Sequence, residues 1–185
     1  MKFYSFTAMV LALACVSGCA SVHQRDYVTG FGGMESKTDT FSGAAVKDTG
    51  KGFLVCAGLE GRFCLSGYSM SFHWSAETPN IIVVSAAAND ARPVVNLEIN
   101  NNHVISQLKS NPASGAAAAG KFQLTLAEAN SLLASQYVLI RATLSDGKVP
   151  PSTDFNRHMP GPGQVTAKDM LSELVSQIES QANAR

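Results

Sequence analysis

The chain predicts a mainly β domain of the α+β kind: an antiparallel β-sandwich or bent sheet with a short capped helix and a packed C-terminal helix. Three stretches carry that expectation. Tyr68, Met70, Phe72 and Trp74 alternate with Ser69, Ser71 and His73, a period of two that puts four large side chains on one face of a strand. Residues 81–88 form a continuous apolar run between Pro79-Asn80 and Asn89-Asp90, which predicts a strand buried on both faces. Near the end, Met170, Leu171, Leu174, Val175 and Ile178 fall on one helical stripe behind Thr166-Ala167-Lys168-Asp169, a helix with its own N-cap.

The remaining elements follow in order. Phe53-Leu54-Val55-Cys56-Ala57 reads as a strand, closed by the turn Gly58-Leu59-Glu60-Gly61. Phe63 and Leu65 are out of phase with the Tyr68–Trp74 face, and Gly67 is the expected place for a bulge that restores register. Val95, Leu97 and Ile99 alternate with Asn96 and Glu98. Asn100-Asn101-Asn102 then takes left-handed turn conformations at little cost, and 103–108 returns as the second arm of a hairpin. Residues 111–120 are small and polar and predict an exposed loop. Thr125-Leu126-Ala127-Glu128 spells a capping box for a short helix ending near Ala134. Val138, Ile140, Ala142 and Leu144 face inward from the next strand, which Ser145-Asp146-Gly147 ends in a turn. Residues 148–164 hold Pro150, Pro151, Pro160 and Pro162 and cannot lie inside a sheet or a helix.

Composition narrows the partners. Of 185 residues, 14 are Lys or Arg and 14 are Asp or Glu, giving a formal charge of zero, so the chain lacks the basic footprint that nucleic acid requires. No cofactor motif survives inspection. Gly115 to Lys121 imitates a phosphate-binding loop, but Phe122 stands where a Ser or Thr must hold the metal. Asp48-Thr49-Gly50 matches an aspartic-protease triplet, yet that chemistry needs two carboxylates sharing a proton, and a turn is the better reading. His73 beside Ser69 and Ser71 lacks an apparent third, orienting group, and a solvated strand face accounts for it. The chain is therefore expected not to be an enzyme, with no catalytic, cofactor or metal residue assigned.

The N-terminal residues are of another kind. Lys2 precedes an apolar stretch to Cys15 of roughly 13 residues, too short to cross a ~30 Å hydrocarbon layer as a helix. Val16-Ser17-Gly18-Cys19 follows, and this tetrapeptide resembles the lipobox of bacterial lipoproteins. The resemblance implies a signal peptide over 1–18, cleavage before Cys19, and acylation of that cysteine. Ala20 and Ser21, with no Asp, imply sorting to the outer membrane, facing the periplasm or the cell surface. Each buried acyl CH₂ contributes about 0.8 kcal/mol, so two or three chains anchor firmly.

Residues 19–40 read as a lipidated, flexible tether that wanders about 25 Å as a coil and reaches about 70 Å at full stretch. A single domain is expected over 41–185, with its last helix at 166–183. Cys56 and Cys64, an even pair in an exported chain, read as a disulfide. The loop over 149–163 is the expected contact surface, with Phe155, Arg157, His158 and Met159 exposed near one another. Together these features predict a non-enzymatic binding or assembly subunit of an envelope protein complex, by analogy of build a secretion-system accessory. It would be joined to the membrane through its acyl chains and to an envelope protein partner through its domain. A carrier of a small hydrophobic ligand, or an inhibitor of a periplasmic enzyme, is the alternative.

Overall fold

The computed structural model describes residues 34–49, 53–56, 67–88, 92–110, 119–150, 152–155 and 166–183, with backbone alone at 53–56, 67–68 and 153. The mainly β expectation holds: two antiparallel sheets and two helices enclose one core. The larger sheet is built from β1 (Glu35–Thr38), β2 (Ala45–Asp48), β3 (Phe53–Cys56), β4 (Gly67–Ser75), β5 (Ile81–Ala88), β8 (Lys109–Ser110) and β9 (Ala119–Thr125). Its order is β1-β2-β4-β5-β9-β8, with β3 also on β4. The smaller sheet takes β6 (Val94–Asn101), β7 (Val104–Gln107), β10 (Val138–Leu144) and β11 (Thr153–Asp154), in the order β11-β10-β6-β7.

Alternation decides what each strand buries. Met70, Phe72 and Trp74 of β4, Ile82, Val84, Ala86 and Ala88 of β5, and Phe122 and Leu124 of β9 all point into the core. The smaller sheet answers with Leu97, Ile99, Val138, Ile140, Ala142 and Leu144. Here β5 corrects the sequence expectation. Its burial alternates along all eight residues, so only one face is sealed, and the outward Ile81, Val83, Ser85 and Ala87 are half-buried. An unbroken apolar sequence cannot distinguish a two-sided central strand from a one-sided one whose outer face is merely small. Gly67 starts β4 opposite Cys56, and the pairing with β3 runs to Met70 without a register shift; Phe63 and Leu65, which the expected bulge would bring into register, lie outside the described residues.

Both helices begin as their caps dictate. α1 (Leu126–Ala134) starts at Thr125, whose side chain accepts from the Glu128 N–H while Glu128 accepts from the Thr125 N–H at 2.8 Å. α2 (Ala167–Asn183) repeats the arrangement with Thr166 and Asp169: the carboxylate accepts from the Thr166 N–H at 2.8 Å, and the Thr166 hydroxyl accepts from the Asp169 N–H at 3.0 Å. The α2 stripe of Met170, Leu171, Leu174, Val175 and Ile178 is buried in the domain's own core. On its flank Gln177 accepts from Lys47 at 3.1 Å.

Two contacts fix how the layers meet. Thr49 is buried just past β2. Its N–H donates to the Phe72 carbonyl at 3.0 Å and its hydroxyl accepts from the Phe72 N–H at 2.9 Å. The hydroxyl thus keeps a core strand hydrogen-bonded where β2 ends and before β3 begins. The Asp48-Thr49-Gly50 triplet has this structural use for its threonine. Gly120 lets β6 lie close against β9: a Cβ there would run into the Val94 carbonyl oxygen and stand 2.8 Å from Phe122 Cε2.

The folded body starts earlier than expected. Residues 35–38, read as tether, form β1, pairing with β2 from Glu35↔Asp48 to Thr38↔Ala45. All four side chains are exposed, so no apolar period marks the strand. The ladder and its turn hold it instead. In that turn the Asp39 carboxylate accepts from the N–H groups of Ser42 and Phe41. Cys15 and Cys19, and so the signal peptide and lipobox, lie outside the described residues, as does Cys64. No disulfide lies among the described residues. Nor, among them, is any helix long and apolar enough to cross a membrane.

Gly120→Ala overpacks the junction of β6 and β9 and lowers unfolding free energy by about 1–3 kcal/mol, read as a reduced denaturant midpoint; an unchanged midpoint contradicts the close approach. The Asp39 carboxyl is held below the ordinary carboxylate range, first by the Ser42 N–H, then by the Phe41 N–H and the Ser42 hydroxyl. A depressed folded-state pKa gives stability that is present above the unfolded value and is lost as pH falls through the folded one. Exchange protection of the Phe41 and Ser42 amides therefore falls with acidification in that window, and Asp39→Ala removes the pH dependence.

Candidate functional site: the open edge at β7

The hairpin of β6 and β7 turns on Asn102 and His103, both left-handed at φ 46° and 70°. Two consecutive left-handed residues give the turn whose twist matches paired strands. Asparagine adopts that backbone readily. His103 does so with its ring stacked on Tyr137, centroids 5.1 Å apart at 26°, while the Asn102 N–H donates to the Tyr137 carbonyl at 2.9 Å. The turn is thus pinned to the segment that enters β10.

From this turn β7 pairs with β6, Asn101↔Val104 through Glu98↔Gln107. The next residue, Leu108, is buried, and its N–H donates to the Leu97 carbonyl at 2.9 Å. The chain then crosses to the larger sheet as β8, placing Lys109 opposite Gln123. Strand hydrogen bonds alternate in direction. With Leu108 bonded toward β6, Val104 and Ser106 also bond inward. Ile105 and Gln107 therefore direct their N–H and C=O groups out along the edge, where no described strand meets them.

Folded proteins blunt such edges with lysine, proline, bulges or covering elements. Val104-Ile105-Ser106-Gln107 carries none of the residue-level devices, and all four residues are exposed. Val104 is 69% and Ile105 59% accessible. The opposite margin of the larger sheet differs, since in β1 the Lys37 ammonium pairs with Glu35 at 2.7 Å. Behind the β7 edge, Arg141 and Glu98 form an ion pair at 2.7 Å. Nearby on β6, the shielded Oδ1 atoms of Asn96, Asn100 and Asn101 meet no donor among the described residues. This arrangement can accept a further strand: backbone groups supply the affinity, and Val104 and Ile105 supply apolar contact on the two faces.

The sequence-predicted contact loop fares differently. Phe155 is 3% exposed and belongs to the core, which corrects its assignment as a surface contact. Its N–H donates to the Val138 carbonyl and its carbonyl accepts from the Lys168 N–H. It thereby ties β11 to β10 and to the start of α2, and that tie draws the ring inward. Arg157, His158 and Met159 lie outside the described residues. Cys56 sits in β3 opposite Gly67.

His73 does acquire the neighbour that sequence reasoning missed. The β2–β4 register sets Asp48 opposite it, with Nδ1 and Oδ2 3.5 Å apart. Ser71 lies two residues away on the same strand and opposite Ser85. Nucleophilic catalysis needs serine and base at about 2.6–3.2 Å, and no hydrogen bond joins either serine to His73 among the described residues. Nor does any described group of three His, Cys, Asp or Glu have the placement to hold a metal ion.

Phe155→Ala tests the corrected role. Removing a buried phenyl costs about 3–5 kcal/mol, so the variant unfolds at lower denaturant; loss of a binding partner at unchanged stability would restore the surface assignment.

No protein-family model, no curated protein and no solved structure matches the chain.

Proposed function

We propose that this chain is an outer-membrane lipoprotein, held to the bilayer by an acylated Cys19, that works by binding another envelope protein rather than by catalysis. The observation that carries the reading is the unguarded edge of β7. A strand left open, uncharged and aliphatic is a standing hazard of aggregation, and a partner's extended segment removes it. The anchor half rests on Val16-Ser17-Gly18-Cys19. The geometry suits the pairing of the two roles. The chain enters the larger sheet at β1, and β8, which continues β7, is the last strand on the other side. Five inter-strand steps at about 4.8 Å separate them by roughly 24 Å, so the receptive edge lies across the sheet from the tether. In the same reading Cys56 and Cys64 form a disulfide that closes the connection from β3 to β4.

The test is photo-crosslinking in intact cells from a reactive residue at position 104, beside the outward backbone of Ile105. An adduct with an envelope protein is expected, and Ile105→Pro abolishes that association. Proline at this position removes only an outward N–H, which edge strands tolerate, so the fold is retained. An adduct yield reduced at least about tenfold, equivalent to about 1.4 kcal/mol, with little change in Tm supports strand addition. Absence of any adduct at position 104, or full retention of it in Ile105→Pro, overturns it. Cys19→Ser separately tests the anchor: the protein leaves the membrane fraction and loses the mass of its acyl chains.

A further inference from the structure

The turn between β1 and β2 is short and held from several sides. Asp39 Oδ1 accepts from the Phe41 N–H at 2.9 Å, the Ser42 N–H at 2.8 Å and the Ser42 hydroxyl at 3.1 Å. The Gly43 N–H donates to the Asp39 carbonyl at 2.8 Å, with Gly43 at φ 73°. A backbone so fixed has every means to tuck a side chain inward, yet Phe41 is 100% exposed. A phenyl ring gains about 1.5–3 kcal/mol on full burial, and here none of that is realised within the chain's described part.

We propose that Phe41 seats in the interface of the bilayer that carries the anchor, docking the domain by the tip of its first hairpin. This rests on the acylated Cys19 proposed above. Fifteen residues, 20–34, separate Cys19 from β1, a span of at most about 50 Å. β1 and its turn are the first described element after them. The tether joins the base of this hairpin at Glu35, the four residues of β1 away from the turn, so its reach lets the tip meet the lipid. Aromatic rings favour the membrane interface, where an apolar body meets a wet rim. The charges of the hairpin do not oppose the approach. Lys37 pairs with Glu35, Lys47 donates to Ser36 and Gln177, and the Asp39 carboxylate is engaged by the turn's own donors.

The experiment uses the full acylated chain in vesicles of phosphatidylethanolamine and phosphatidylglycerol, with or without dibrominated acyl chains. Phe41→Trp places a reporter at the tip without disturbing packing. The wild type is the blank, because its single Trp74 is buried with Nε1 bonded to the Pro79 carbonyl. Brominated lipid is expected to quench the added emission at least about twofold and leave the blank unchanged, as for a side chain at the acyl boundary. Val149→Trp, exposed beside the Leu144–Lys148 turn at the opposite end of the strands, is expected to escape quenching. Lack of quenching at position 41 in a protein of acylated mass overturns the docking and leaves the anchor standing. Lack of quenching in a protein of unacylated mass overturns both. Equal quenching at positions 41 and 149 overturns the docking as well, since it reports no preferred orientation.

Discussion

Two sheets in this molecule have to be sealed by one apolar interior, and the chain's passage from one to the other at Leu108 governs the result. That residue is bonded to β6 and buried in the core, and its successors join the larger sheet. A single strand is thereby bent so that its first half edges one sheet and its second half the other. Gly120 keeps β9 near enough to β6 for the two layers to share contacts. The helices enter the same interior, with Leu171 and Leu174 wholly excluded from water and Ala129 and Leu132 beside them. A core closed in this way determines the margins of both sheets, because every strand that can be paired internally already is.

Those margins are not treated alike. β1 carries ions of both signs, β8 begins with a lysine, and β11 is two residues long beside a proline-rich stretch. Compared with these three, β7 offers outward backbone groups from a neutral strand with aliphatic side chains on both faces; β3, likewise neutral, pairs with β4 alone and is described in its backbone only. Its turn is braced by the His103–Tyr137 stack and its far end by Leu108, so the edge is presented rigidly. Rigid presentation lowers the ordering cost of binding. Interaction of backbone with backbone is also the mode that asks least of side-chain chemistry. This fits a chain with few charges and with its histidines scattered along the sequence.

What sequence reveals here follows from what is local. Capping boxes, the alternation of β4 and β10 and the α2 stripe are each written within a few residues, and each stands where its pattern places it, while the turn expected over Asn100-Asn101-Asn102 falls instead on Asn102 and His103. The misreadings arise where the deciding neighbour is distant. Glu-Ser-Lys-Thr looks like tether because its partner is Ala-Val-Lys-Asp across a turn, and a doubly exposed edge strand has no apolar period. Phe155 looks like a loop contact until β10 and α2 draw it in. The outer face of β5 looks buried because alanine and valine tolerate half exposure. His73 looks unaccompanied because Asp48 is 25 positions earlier and arrives only through strand register. The β7 hairpin itself is legible, but its place at the rim is a property of topology, which no local window contains.

The claim that most needs testing is that β7 is an acceptor edge, and backbone amide exchange reads it residue by residue. In the purified protein, the account has Val104 and Ser106 protected by β6 while Ile105 and Gln107 exchange as open amides. In native envelope membranes Ile105 and Gln107 become protected by at least about tenfold, the mark of new strand hydrogen bonds. Equal protection of all four amides in the purified protein, or no gain at Ile105 and Gln107 in the envelope, would contradict it.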